Sequence, residues 1–212
     1  MTREKKVKEI IRRLYKVYPQ PKIALRFQNP YQLLIATILS AQATDVSVNL
    51  ATPGLFTKYP KPEDLAKAEV STIDQLIKNI NFHQNKAKMI KSATQMLVDK
   101  FQSKVPDNMQ DLDSLPGVAR KTANVILGSA FGKAEGIVVD THVIRLTNKL
   151  GLTESKDPVK IEKDLMEIVP KKYWIDFPLL LILHGRHFCT ARTHSCLNCP
   201  LGNLCPDFKN DP

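Results

Sequence analysis

Hydrophobic residues recur at three- and four-residue steps along most of the chain. The first segment shows this most clearly, with Val7, Ile10 and Leu14 on one face of an amphipathic helix that ends before Pro19. The same period predicts helices over 31–41, 45–58, 62–79, 84–101, 108–115, 120–131, 141–150, 158–168 and 172–187. The two-residue alternation of a strand is absent beyond a short run at 137–139. The pattern therefore predicts an all-α protein.

Composition restricts the class of protein in a general way. The chain has 212 residues, 43% of them hydrophobic, which is enough for one large domain or two small ones. No stretch approaches the roughly 18 apolar residues of a membrane span, and the N-terminal segment lacks the apolar run of a signal peptide. We therefore expect a cytoplasmic protein that makes no membrane contact.

The net charge of +10 comes from 31 basic and 21 acidic residues. This excess suggests nucleic acid as a partner. The basic residues are dispersed, however, and general solubility explains such a balance equally well. Charge alone does not separate the two interpretations.

All four cysteines lie near the C-terminal end, with the spacing Cys189-x6-Cys196-x2-Cys199-x5-Cys205. A structural zinc site usually contains two C-x2-C halves, and only the middle pair has that form. Four unevenly spaced thiolates suit a [4Fe-4S] cluster better, because each cysteine binds iron at a separate corner of the cube. A reducing compartment disfavours disulfides. We favour the cluster, with zinc and two disulfides as the alternatives.

A helix-hairpin-helix motif is predicted at 112–123, where LDSLPGVARKTA reads as a helix end, a tight turn and a helix start. Such a turn exposes backbone N–H groups at a helix N-terminus, which accepts a phosphate oxygen without reading base sequence. A generic helix-turn-helix corner is the alternative. The predicted phosphate contacts are Pro116, Gly117, Val118, Ala119 and Arg120.

Lys121 and Asp140 are the candidate catalytic residues. Lys121 stands in the first turn of the second hairpin helix, where the helix dipole and partial burial would disfavour its charged form. A free lysine amine can displace a base from a sugar C1′, form a Schiff base and cleave the strand by β-elimination. Neutralising a phosphate is the alternative role. Asp140 ends an apolar run and is predicted to cap the next helix, a structural role that a catalytic role does not exclude.

Taken together, four motifs and the cysteine spacing closely resemble the endonuclease III family, which comprises bifunctional DNA glycosylases of base excision repair. The resemblance covers essentially the whole chain. The motifs are LLIATILSAQATDVSVNLAT at 33–52, LPGVARKTANVIL at 115–127, VVDTHVIRL at 138–146 and LILHGRHFC at 181–189.

The resemblance implies a two-lobed helical fold. A six-helix barrel would span 23–133, and a second lobe would join 1–22 to 134–212 and carry the [4Fe-4S] cluster. Damaged or abasic double-stranded DNA would lie between the lobes, and the protein would act as a monomer associated with the nucleoid. Its reaction would be removal of oxidised pyrimidines followed by strand cleavage.

The resemblance also assigns roles to residues. Lys121 would be the nucleophile and Asp140 the carboxylate that stabilises the developing positive charge. Gln42 would fill the space left by the extruded nucleotide, and a second wedge is expected from the loop that contains Phe82. Further DNA contacts would come from Arg186 and Arg192. A Na⁺ or K⁺ ion would be held at the hairpin by the backbone carbonyls of Asp113, Leu115 and Val118.

Two departures from the family pattern affect the expected site. Asn81-Phe82-His83 replaces the usual Gly-Leu-Tyr, so Phe82 is either a wedge that stacks on bases or a core aromatic, and the damage spectrum would shift with it. Ala119 replaces the usual second hairpin glycine. This change is costly only if the position needs a positive φ.

Other functions are compatible with parts of the pattern. Mismatch adenine glycosylases share the cluster and the hairpin but lack a lysine at the position of Lys121. A cluster-bearing DNA-binding protein without catalytic activity would use Lys121 only to hold phosphate. A zinc-stabilised structural module would need the cysteines alone. A reactive Lys121 favours the bifunctional enzyme.

Overall fold

A computed structural model describes residues 1–192, 196–206 and 208, and this part of the chain contains helices and no β-strand. The all-α prediction is therefore confirmed. None of the described helices is long and apolar enough to cross a membrane. The helices are α1 Arg3–Val17, α2 Pro30–Ser40, α3 Asp45–Lys58, α4 Pro62–Ala66, α5 Val70–Leu76, α6 His83–Phe101, α7 Met109–Asp113, α8 Arg120–Phe131, α9 Thr141–Lys149, α10 Pro158–Ile168 and α11 Asp176–His187, with 3₁₀ turns at Lys171–Tyr173 and Gly202–Leu204.

The helices form two compact units. The barrel unit comprises 23–133, and the terminal unit comprises 1–22 together with 134–212. Each has its own cluster of buried apolar side chains.

Helix α2 is the centre of the barrel unit. Every residue from Tyr31 to Leu39 is buried, and all but Gln32 and Thr37 are hydrophobic, as expected for a helix surrounded by other elements. It begins where the Asn29 side chain accepts a hydrogen bond from Gln32 N at 2.9 Å, with Pro30 in the first turn. Helices α3, α6 and α8 pack against it.

The terminal unit is assembled around α11. Helices α1 and α9 pack against α11, and α1 also contacts α10. The predicted face of α1 is buried, with Val7, Ile10 and Leu14 fully inaccessible. Gly185 lets α9 approach closely, because a Cβ there would lie 2.9 Å from His142 Nδ1 and 3.1 Å from an Arg145 guanidinium nitrogen.

The single helix predicted over 62–79 is wrong, since the structure has α4 and α5 there. The backbone becomes extended at Glu69, with φ −70° and ψ 134°, which breaks the helical ladder. Ala68 turns into the core, and its carbonyl accepts a hydrogen bond from Lys91 Nζ at 2.7 Å. A tertiary bond thus satisfies a group that a continuous helix would have paired internally.

Candidate active site and cysteine cavity

The predicted hairpin is a tight turn between α7 and α8. Its ends are joined by a hydrogen bond from Val118 N to Leu115 O at 3.0 Å. Pro116 at the second position and Gly117 at the third, with φ +81°, match the residue preferences of a type II turn. Leu115 and Val118 are buried and anchor the turn, whereas Gly117 is exposed at its tip.

Helix α8 begins at this turn without a capping side chain. Its N-cap is Ala119, which has no side-chain acceptor for the first N–H groups. Replacing Ser, Thr, Asp or Asn by alanine at an N-cap typically costs about 1 kcal/mol. The first turn of α8 therefore presents N–H groups and the positive end of the helix dipole to whatever binds there, as an anion site requires. Ala119 itself is extended, with φ −106°, so its replacement of glycine carries no backbone strain.

Lys121 is exposed in the first turn of α8. The expectation of partial burial is therefore wrong, because the hairpin anchors itself through Leu115 and Val118 and turns the start of α8 outward. Arg120 is exposed beside it. The first turn of α8 therefore carries two exposed basic side chains.

Asp140 belongs to the terminal unit and caps α9. Its Oδ1 accepts a hydrogen bond from Val143 N at 2.8 Å, which confirms the predicted cap. The residue is half-buried, and its second carboxylate oxygen is not needed for this bond. The carboxylate is therefore held in a fixed orientation with an oxygen left for other contacts.

Gln42 and Phe82 are both exposed at bends of the barrel unit. Gln42 follows the end of α2 and Phe82 precedes α6, and both have positive φ, at 53° and 58°. With 61% of its surface accessible, Phe82 is not a core aromatic. Asn81, next to Phe82, donates a hydrogen bond from Nδ2 to Gln42 O at 3.0 Å.

The four cysteines line one cavity of the terminal unit, which has a volume of about 20 Å³. Cys189 follows the end of α11, while the other three are held by successive four-residue turns. Among the residues described, no three His, Cys, Asp or Glu side chains converge closely enough to hold one metal ion. The cysteines line the cavity rather than meet at a point. Its remaining lining is mostly apolar: Leu146, Lys149, Leu150, His184, Phe188, Leu201 and Phe208.

Two side chains, one buried and one half-buried, contact the cysteines. An Arg145 guanidinium nitrogen lies 3.6 Å from Cys189 Sγ and 3.4 Å from Thr190 O. His184 Nε2 lies 3.7 Å from Cys199 Sγ. Burial, and then the positive charge of Arg145, lower the pKa of His184 to about 4, so the ring is neutral at pH 7. Donors aimed at sulfur stabilise thiolates and orient them.

Arg186 and Arg192 are exposed on either side of Cys189.

The sequence did not reveal Arg145 and His184 as contacts of the cysteines, nor the buried Lys86 as a contact of the turn that follows α2. Lys86 had a signal, since it occupies the first position of the stripe that continues through Ile90, Ala93 and Leu97 and is buried. A lysine in such a stripe needs a specific partner. Arg145 and His184 carried no comparable signal, because their partners are distant in sequence.

Comparisons with known proteins agree with this arrangement. The model of the HhH-GPD superfamily of base excision DNA repair proteins matches residues 35–171. Endonuclease III of Synechocystis sp. is 47% identical over 208 residues, which cover 98% of this chain and 95% of that protein. Endonuclease III of Escherichia coli K12 is 40% identical over 197 residues, which cover 93% of each.

Solved structures give the same result. A trapped endonuclease III–DNA covalent intermediate matches with a TM-score of 0.91 and 38% identity, over 99% of each chain. A non-covalent endonuclease III–DNA complex matches with a TM-score of 0.92, over 99% of this chain and 98% of the other.

These similarities define a helix-hairpin-helix enzyme of base excision repair. The chain belongs to the endonuclease III family of the HhH-GPD superfamily. Its activity is accordingly that of a DNA glycosylase with AP lyase activity.

The hairpin turn gives a test of its own geometry. Gly117 has a positive φ, which is strained for a residue that carries a Cβ. A Cβ at this position would also lie 2.3 Å from Met89 Sδ. We expect Gly117→Ala to lower the free energy of unfolding by about 1–2 kcal/mol in urea denaturation. Gly54→Ala is the matched control, because a Cβ inside α3 meets nothing within 4 Å. That change should instead raise stability by about 0.5–1 kcal/mol. Equal effects of the two substitutions would contradict the turn described.

Proposed function

We propose that the enzyme removes oxidised pyrimidines from duplex DNA and cleaves the strand through a Schiff base on Lys121. The observation that carries the proposal is the placement of an exposed lysine in the uncapped first turn of α8, directly after the hairpin turn. A phosphate bound at that turn would bring the sugar of a nearby nucleotide within reach of the amine. We place the reaction in the cytoplasm, where the chromosome lies and thiols stay reduced.

The proposed chemistry needs the amine form of Lys121. Its nitrogen forms a bond to C1′ as the glycosidic bond breaks, and the base leaves with a proton. Opening of the sugar gives an imine between Lys121 and C1′. Loss of a proton from C2′ then expels the 3′ phosphate, and water releases the enzyme from the cleaved strand.

Asp140 is proposed to assist this step as a carboxylate. Positive charge develops on the sugar as the base departs, and a fixed negative group stabilises it. The cap hydrogen bond to Val143 N supports the role, because it fixes the side chain while one oxygen stays available. The same oxygen could later accept a proton from the sugar.

DNA binding is proposed to combine the hairpin with dispersed basic groups. The N–H groups of Gly117 and of residues 119–121 would hold a phosphate, and Arg120, Arg186 and Arg192 would contact others. A monovalent cation would be shared between that phosphate and the carbonyl oxygens of Asp113, Leu115 and Val118. These contacts position the enzyme without selecting a base sequence.

Extrusion of the damaged nucleotide leaves a gap in the stack, and Gln42 and Phe82 are proposed to occupy it. Both side chains are exposed at the bends that carry them. An aromatic ring at Phe82 would stack on the neighbouring bases, which favours a damage spectrum adapted to that contact.

A [4Fe-4S] cluster is proposed at Cys189, Cys196, Cys199 and Cys205. The donor set suits the group, because four thiols line one cavity with a mostly apolar wall, and Arg145 and His184 contact two of the sulfurs. A cluster bound through four protein thiolates offers no open coordination site, so its work would be to hold the end of the terminal unit in place. Arg186 and Arg192 flank the first ligand and would be positioned with it.

Replacing the nucleophile tests the reaction. Lys121→Ala should lower the yield of borohydride-trapped adduct on a duplex with an oxidised pyrimidine by at least about 10³-fold, because it removes the amine proposed to form the imine. Affinity for the duplex, measured by anisotropy, should stay close to that of the native enzyme, since the hairpin amides remain. Lys104→Ala removes an exposed lysine of the same unit and should trap normally. An undiminished adduct in Lys121→Ala would refute the assignment.

Substituting Asp140 by asparagine and by alanine distinguishes the role of its negative charge from its role as a helix cap. Asparagine caps as well as aspartate, so Asp140→Asn should keep the unfolding midpoint while lowering single-turnover base release by about 10²–10³-fold. Asp140→Ala should lose the same activity and also about 1 kcal/mol of stability. Near-native base release by Asp140→Asn would remove Asp140 from the reaction.

Analysis of bound metal tests the cluster. The purified protein should contain four irons and four acid-labile sulfides per chain and absorb visible light. Cys199→Ser should lose most of both elements. One zinc per chain without labile sulfide would contradict the cluster and support a zinc site at the same cavity.

A further inference from the structure

Two exposed bends of the barrel unit have a strained backbone. Gln42 and Phe82 lie in the left-handed region, which costs a side-chain-bearing residue roughly 1–2 kcal/mol. Neither is an asparagine or glycine, the residues that tolerate this conformation best. Surrounding contacts must therefore hold the two bends in place.

The first bend is a four-residue turn closed by a hydrogen bond from Ala43 N to Ser40 O at 3.1 Å. Gln42 occupies its third position, where glycine or asparagine is usual. Its carbonyl oxygen accepts the hydrogen bond from Asn81 Nδ2 at 3.0 Å. Asn81 directly precedes Phe82, so one bond joins the two bends.

The buried Lys86 provides a second connection between the two bends. Only 5% of its surface is accessible, and its Nζ donates to Leu39 O at 2.8 Å and Ala41 O at 2.6 Å. These carbonyls lie at the end of α2, where helical partners run out and the dipole favours a cation. The backbone of Lys86 also donates to Phe82 O at 3.1 Å. One residue thus contacts the chain beside Gln42 through its side chain and Phe82 through its backbone.

A buried ammonium is costly, because desolvation disfavours its charged form and lowers the pKa of Lys86. Filling the space alone would be achieved better by an apolar side chain, such as those of Ile90 and Leu97 in the same stripe on α6. What lysine adds is two directed hydrogen bonds to a turn with unusual backbone geometry. This favours a role in holding the turn over a role in packing.

We propose that Lys86 and Asn81 are positioning residues, which hold Gln42 and Phe82 as one preformed two-pronged wedge for the gap left by the extruded nucleotide. The inference rests on the proposed function, in which these two side chains enter the DNA. Holding both prongs before binding removes the entropy cost of ordering two bends in the complex.

The proposal predicts different effects on an abasic site in duplex DNA and on one in a single strand. Attack of Lys121 on an abasic site in a duplex requires the stack to be opened and the gap filled. Attack on the same site in a single strand requires neither. Damage to the wedge support should therefore slow the first reaction selectively, whereas general damage to the enzyme should slow both.

The experiment compares borohydride-trapping rates on an abasic site in a duplex and in the corresponding single strand. Lys86→Met removes the ammonium at similar volume, with Lys88→Met, an exposed lysine of the same helix, as its control. Asn81→Ala removes the surface tether, with the exposed Asn85→Ala as its control. We expect both test variants to react about tenfold more slowly on the duplex and within about twofold of native on the single strand. Both controls should react as the native enzyme does.

The outcomes are distinct. Unchanged duplex rates in Asn81→Ala, an exposed residue whose loss should not prevent folding, would overturn the proposal even if Lys86→Met is unstable. Equal slowing on both substrates in Asn81→Ala would overturn it as well, since the effect would then not concern the stack. If the native enzyme forms no adduct on either substrate, the proposed function fails, and with it the basis of this inference.

Discussion

The burial of α2 on all sides is the constraint on which the barrel unit depends. Its side chains from Tyr31 to Leu39 are covered, so the helices packed around it have little freedom to shift. Helix α8 packs on α2 and carries Lys121 at its start, and the hairpin tip at Gly117 approaches Ile38. The end of α2 leads directly to Gln42 and is held by Lys86. An apolar helix with no catalytic group thus sets the positions of the proposed nucleophile and of the proposed wedge.

In the terminal unit, the C-terminal turns need contacts other than the packing of long helices. Its last described turns are closed by single four-residue hydrogen bonds, and the cluster proposed at the four cysteines would supply the cross-links that a longer helix would otherwise provide. Arg145 ties α9 to the first of these cysteines, and α9 begins at Asp140. A change at the cavity would therefore reach the helix that Asp140 caps, which explains how a site without reactive chemistry of its own would influence the reaction.

Periodicity predicted most of the helices because their buried faces are regular. Helix α1 and the capped start of α9 at Asp140 are where local signals and tertiary packing agree. The split between α4 and α5 was not predictable in this way, since it depends on a bond from Lys91 to Ala68. The exposure of Lys121 was also missed, because burial depends on how the hairpin is anchored. Lys86, Arg145 and His184 act through partners that sequence patterns do not reveal. The joint action of Lys121 and Asp140 stays a prediction.

The central claim is that the amine of Lys121 forms the bond to the sugar. Its most direct test is to reduce the intermediate on an abasic duplex with borohydride, digest the adduct and locate the modified residue by tandem mass spectrometry. The account predicts that the sugar remnant is attached to the Nζ of Lys121 and to no other lysine. Attachment to a different lysine or to the N-terminal amine would contradict it, whatever the effect of substitutions at position 121.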